Sequence, residues 1–189
     1  VRDAQQTAYH SEKTFHYPLP FAVLFALLAL FPIEFAYSLW TFLAQIGILV
    51  SINLLLSFYP ERPRYLDLLA IAGVFLFRPT FPAISNGQIV PLLLFLLSVS
   101  IRLFHDEKWL FGGLVMSALS LKPSIGIPIL VLAGGWLLAG KHWRALAGMA
   151  LGGLTLALMG AMVNYRWVID YLSIGGDSFQ KYFGMQPTM

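Results

Sequence analysis

The sequence contains no cysteine, which removes disulfides and cysteine-held metals from the possible chemistry. Charge is scarce as well. Asp, Glu, Lys and Arg together make up 11% of the chain, against roughly a quarter in a soluble domain. So little charge cannot coat a water-facing surface, and the net charge of +3 points to no nucleic-acid partner. No set of titratable residues has metal-ligand spacing, and no cofactor or metal is expected.

What the chain has instead is apolar length. Hydrophobic residues make up 58% of it, and the mean hydropathy of +0.74 places it among integral membrane proteins. At about 20 apolar residues per crossing, 189 residues allow six or seven helices. The expected fold is all-α: a polytopic transmembrane helix bundle with about six crossings and a short re-entrant or interfacial helix. The whole of 1–189 reads as a single transmembrane domain. Residues 1–20 form an extracytoplasmic loop, 21–163 the membrane region and 164–189 an extracytoplasmic segment. The chain does not begin with Met, and both ends read as cuts in a longer protein.

Phe21 to Phe31 is apolar but has only 11 residues between Pro20 and Pro32, too few to cross. Phe35 to Phe58 is free of charge and spans. Leu66 to about Ala83 is the second crossing and Gln88 to Phe104 the third, with an Asn-Gly turn between them. Trp109 to Leu121 and Pro123 to Gly140 are short apolar runs either side of Lys122-Pro123, and Ala145 to Val163 is the last crossing. One helix over 109–140 would reach roughly 48 Å, well past a core of about 30 Å, so two crossings fit better.

Basic residues set the orientation. The loops 59–65, 102–108 and 141–144 carry Arg62, Arg64, Arg102, Lys108, Lys141 and Arg144 and fall on one side when crossings alternate. Short basic loops are cytoplasmic. The stretch before Phe21, the segment 78–87, the Lys122 turn and the C-terminal tail then lie outside, in an inner-membrane setting.

Lys122 follows a run that reaches only about 20 Å by helical rise, so it sits below the outer surface, at a break made by Pro123. An ionisable group at that depth marks a water-filled site, and a helix N-terminus beside it favours anions. That combination suits a phosphate, against the plainer reading of a snorkelling lysine. Arg78, just before Pro79 on the same side, is a second phosphate ligand or an interfacial anchor. Asn86 and Gln88 lie at the outer end of the third crossing. Ser85 or Asn86 can cap that helix, while the Gln88 amide can bond a sugar hydroxyl. Tyr17 and His16 lie where the outer loop enters the short helix, beside a candidate sugar or acceptor site. Glu34 opens the first spanning helix. Gln45 and Asn53 are placed for hydrogen bonds between helices, and Gly148 and Gly152 for close helix approach. Asp170 and Asp177 read as solvated carboxylates in the tail.

In order along the chain, FHYPLP (15–20), ALFP (29–32), AYSLW (36–40), NGQIVPLLLFLL (86–97), GGLVMSALSLKP (112–123) and KHWRA (141–145) together resemble glycosyltransferase family 87. The match in order and spacing covers roughly residues 15 to 150. The resemblance implies a GT-C-like membrane enzyme, here partial. It would transfer a hexose, often mannose, from a polyprenyl-phosphate sugar to a lipid or glycan acceptor on the extracytoplasmic side, with inversion and without a nucleotide-sugar site.

The resemblance places the catalytic base on an acidic residue in the first outer loop. Asp3 is the candidate within the stretch given, although its surroundings, VRDAQQTAY, do not match the family well. Lys122 and Arg78 would stabilise the departing polyprenyl phosphate. A transporter or flippase for an anionic lipid or solute is the competing reading, and it predicts inverted internal repeats, of which none is visible. A non-catalytic scaffold is a third.

Overall fold

The computed structural model describes residues 18–172. Asp3, His16, Tyr17 and Asp177 fall outside them. Among the described residues all regular structure is helical and no strand occurs.

Helix α1 (Leu19–Phe25) starts behind Pro18, with Pro20 in its first turn, and tightens into a 3-10 segment at Ala26–Leu30. Proline suits a helix start because its missing N–H has no intrahelical partner there. Pro32 ends the segment and serves as N-cap for α2 (Ile33–Leu56), whose first turn holds Glu34 against the positive end of the helix dipole. The short helix before a long one is as the prolines predicted. At 24 residues, α2 reaches about 36 Å.

The apolar run 66–83 is not one helix. It divides into α3 (Tyr65–Leu76) and α4 (Thr80–Ser85). Phe77 turns extended, with ψ 114°, and ends α3, and Pro79 two residues on serves as the N-cap of α4. The 12 residues of α3 rise only about 18 Å.

Helix α5 (Val90–His105) carries Pro91 in its first turn. It turns back through 106–108 into α6 (Trp109–Ser117), which tightens into a 3-10 segment at Ala118–Leu121. Helix α7 (Pro123–Ala139) and helix α8 (Trp143–Val163) complete the bundle, followed by a helical turn at 167–172. Residues 109–140 are thus two helices, broken at Lys122, whose backbone leaves the helical region at φ −128°, ψ 85°.

The core lies among α5, α6, α7 and α8, where Ile89, Leu93, Phe104, Met116, Leu119, Leu121, Leu137 and Ala145 are buried together. Ser100, fully buried on α5, donates to the Gly112 carbonyl at 2.6 Å and ties α5 to α6. Helices α6 and α8 approach closely. A Cβ at Gly148 would lie 2.9 Å from the Leu114 nitrogen and strike the Leu110 carbonyl, and a Cβ at Gly113 would strike the Ala145 carbonyl. The glycine spacing at 148 and 152 therefore serves packing, as expected, and Gly113 on α6 completes it.

Gln45 and Asn53 do not bridge helices. Both side chains are exposed, while Ala44, Ile48, Ser51 and Ile52 form the buried stripe of α2. At 3.6 residues per turn, nine positions carry Asn53 to the face opposite Ala44.

Two helices, Ile33–Leu56 and Trp143–Val163, are long and apolar enough to cross a membrane, and only 22% and 17% of their apolar windows are buried within the chain. A core helix of a soluble protein would be mostly covered. Leu27, Leu30, Leu76, Phe81, Leu132 and Met162 also stand exposed. Length and uncovered apolar surface suggest membrane association.

Candidate functional site

The α5–α6 hairpin decides which residues share an end of the bundle. Ser100 lies beside Gly112, and nine residues further on in α6, or back in α5, lead to Leu121 and Pro91. Equal helical rise brings these to the same level. The Lys122 break and the Asn86–Gln88 turn therefore occupy one end.

That turn is braced from α2. The Tyr37 hydroxyl donates to the Ser85 carbonyl at 2.7 Å. Gly87, at φ +61°, uses the left-handed backbone that glycine adopts without strain, and a Cβ there would meet the Trp40 ring at 3.7 Å. Trp40 in turn packs edge-on against Phe25 of α1, with centroids 4.9 Å apart. The indole Nε1 of Trp40 and the Thr41 hydroxyl are buried without hydrogen-bond partners among the described residues. Tyr37 and Trp40 were missed as positioning residues because, inside an apolar run, aromatic side chains read as packing.

Asn86 is exposed and Gln88 half-buried. Neither Asn86 nor Ser85 caps α5. Its N-cap is Ile89, without a side-chain bond, because the Gly87 turn separates both residues from the helix start and Pro91 removes one of the N–H groups a cap would serve. Ile89, next to Gln88, is fully buried, which holds the turn against the core.

Lys122 is half-buried. Its carbonyl accepts from the Gly126 nitrogen at 2.8 Å and the Ile125 nitrogen at 3.1 Å, closing the first turn of α7. Gly126 permits this fold-back: a Cβ there would strike the Leu119 carbonyl. Between buried Leu121 and the Gly126 contact, the backbone at Lys122 has little freedom. Arg78 is exposed in the α3–α4 turn, at the same end. Asp170 lies on the 167–172 turn and accepts from the Asn164 amide at 2.8 Å, so it is engaged with its own segment. Among the described residues no group of three or more His, Cys, Asp or Glu is placed to hold a metal.

The three basic loops meet at the opposite end. Arg102 reaches the Ser57 hydroxyl at 3.3 Å, the His105 ring lies 4.9 Å from Phe58, and the His142 ring stacks on Trp109 at 3.6 Å. Arg62 donates to the Leu56 and Tyr59 carbonyls and pairs with Asp67, so it closes the C-terminal end of α2.

The geometry thus separates a half-buried lysine, a glutamine and an arginine at one end from a basic, aromatic rim at the other. Neither the curated proteins nor the solved structures offer a match to this chain. The model of glycosyltransferase family 87 matches residues 15–188, which takes in every helix described above. The chain belongs to glycosyltransferase family 87.

Proposed function

We propose that this chain forms part of a multi-pass membrane glycosyltransferase that moves a hexose, of the mannose type, from a polyprenyl-phosphate sugar to a lipid or glycan acceptor. The Lys122 end faces outward from the cell membrane and the three basic loops face the cytoplasm, by the rule that short cationic loops stay inside. The observation that supports the reading most strongly is the break at Lys122-Pro123. It leaves an ammonium at the start of α7, at the same end of the bundle as the Gln88 turn, in a chain of a glycosyltransferase family.

In the proposed reaction an acceptor hydroxyl oxygen attacks the anomeric carbon from the face opposite the phosphate. The bond from that carbon to the phosphate oxygen breaks, the electron pair leaves with the polyprenyl phosphate, and a carboxylate takes the acceptor proton. Lys122, with Arg78, neutralises the charge that grows on the leaving phosphate. Gln88 and Asn86, with Tyr17 and His16, hold sugar or acceptor hydroxyls. The residue that supplies this carboxylate is not assigned, and Asp3 is only a weak candidate for it. No nucleotide and no metal takes part in this scheme.

The test is Lys122→Ala in the membrane-embedded protein, assayed with polyprenyl-phosphate mannose and an extracted lipid acceptor. Removal of one charge-stabilising donor costs about 10²–10³ in rate, so transfer falls by about that factor at unchanged thermal midpoint. Unchanged turnover removes Lys122 from the site.

A further inference from the structure

A groove of about 610 Å³ runs along the outside of the bundle between α5, α6 and α7. Its walls are apolar, formed among others by Ile101, Met116, Ile129, Leu132 and Trp136. Leu132 and Trp136 are 75% and 56% exposed, so the groove opens sideways along the helices. At the basic-loop end it meets a second hollow of about 360 Å³, lined by Trp109, Lys141, His142, Trp143 and Arg144. Trp109 borders both, and the Trp109–His142 stack forms the step between them.

The two hollows differ in chemistry along one line. The first offers only hydrocarbon and ring faces apart from His105 at its rim. The second offers two full cations and an imidazole. No carboxylate lines either one. Asp106, in the turn before Trp109, is taken up by Arg102 and His105, at 3.1 and 3.5 Å, and neither Lys141 nor Arg144 forms a salt bridge among the described residues. Lys141 is fixed at φ +57°, in a tight turn whose backbone bonds run from Lys141 to Leu138 and from His142 to Leu137. Leu137 is fully buried, so the cationic turn is anchored to the core.

We propose that this composite groove binds an anionic glycerophospholipid of the cytoplasmic leaflet, with one acyl chain along α7 and the phosphate between Lys141 and Arg144. The assignment rests on the membrane orientation proposed above. Cations beside an apolar cleft between helices on the cytoplasmic side are the chemistry that selects anionic headgroups. The site lies at the opposite end of the bundle from Lys122.

Native mass spectrometry of the full chain, released from detergent with added phosphatidylglycerol or phosphatidylcholine, tests the proposal without any sugar donor. Phosphatidylglycerol is expected to bind and phosphatidylcholine to bind at least tenfold more weakly. Each basic side chain near the membrane surface contributes about fivefold to such affinity, so Lys141→Ala/Arg144→Ala weakens phosphatidylglycerol binding by about 25-fold. Ala133→Trp, which fills the groove and leaves the charge unchanged, also weakens it. Arg64→Ala, at the same end but outside both hollows, leaves it unchanged.

Equal binding of the two lipids overturns the assignment. So does an Arg64→Ala loss as large as that of the double variant, which would mean general surface charge. Displacement of phosphatidylglycerol by substoichiometric polyprenyl phosphate overturns it too, by making the groove a donor site. Sugar transfer by Lys122→Ala is read separately, so either reading can fail while the other stands.

Discussion

Two glycines of α8 predict opposite outcomes for one added methyl group. Gly148 faces α6: its Cβ would sit 2.9 Å from the Leu114 nitrogen and 3.0 Å from the Leu110 carbonyl carbon. Both are backbone atoms, so no rotamer change relieves the clash and the helices must separate. Gly153, five residues on, has nothing within 4 Å of the same position. Alanine in a helix interior gains about 1 kcal/mol over glycine, and Gly153→Ala keeps that gain.

At Gly148 the same gain is set against an overpacking cost of about 1–3 kcal/mol, at the upper end because the obstruction is main chain. The net effect is a loss of about 1–2 kcal/mol. For a chain of this size that is a midpoint drop of roughly 2–8 °C, at about 2–4 °C per kcal/mol. Thermal unfolding of the purified protein in detergent, followed by tryptophan fluorescence, measures both variants. A Gly148→Ala protein as stable as Gly153→Ala would refute the close approach of α6 and α8.

Ser100→Ala removes the buried bond to Gly112 and leaves that carbonyl to its helix partner alone, so a loss of about 0.6 kcal/mol, and at most about 1.7, is expected in the same melting assay. Tyr37→Phe frees the Ser85 carbonyl and loosens the Asn86–Gln88 turn. Transfer should weaken through a higher KM at nearly constant kcat, and an unchanged KM would detach Tyr37 from the site. At Asp106, desolvation raises the carboxyl pKa, but hydrogen bonds from Arg102 and His105 and the charges of Arg102 and Lys108 together hold it below its ordinary 3.8. A lowered folded-state pKa gives stability that is present above the unfolded value and lost as pH falls through the folded one. Wild type should therefore lose this contribution only below about pH 4, and Asp106→Asn should lack it at every pH. A wild-type loss from this group between pH 7 and 5 would contradict the sign.

The helical class, the break at Lys122-Pro123 and the brief first helix were legible because each rests on local rules: apolar run length and proline. The division of 66–83 was not, since Arg78-Pro79 sits in an otherwise apolar stretch and hydropathy averages over the extended backbone at Phe77. Gly148 and Gly152 announced a close contact by their spacing. Their partner Gly113 did not, because a contact has two sides and the sequence shows no pairing. Gln45 and Asn53 were assigned inward for their polarity, but the helical angle decides, and it turns them out. At the candidate site, Lys122 and Gln88 stood out by type, while Tyr37 and Trp40 act through geometry that only the folded turn displays.

The unequal helices leave one further mark. Helix α2 reaches about 36 Å and α8 about 32 Å, while α3 and the α6 run reach only about 18–20 Å. In a bilayer, apolar segments that differ so much cannot all match one hydrocarbon thickness, and lipid adjusts at a modest cost per ångström. The membrane would be drawn thin along the short helices and stay near full depth along the long ones. On the function proposed above, a polyprenyl tail arriving beside the short α6 run would carry its phosphate to Lys122 across a shallower layer, so the bilayer itself would set the side of approach.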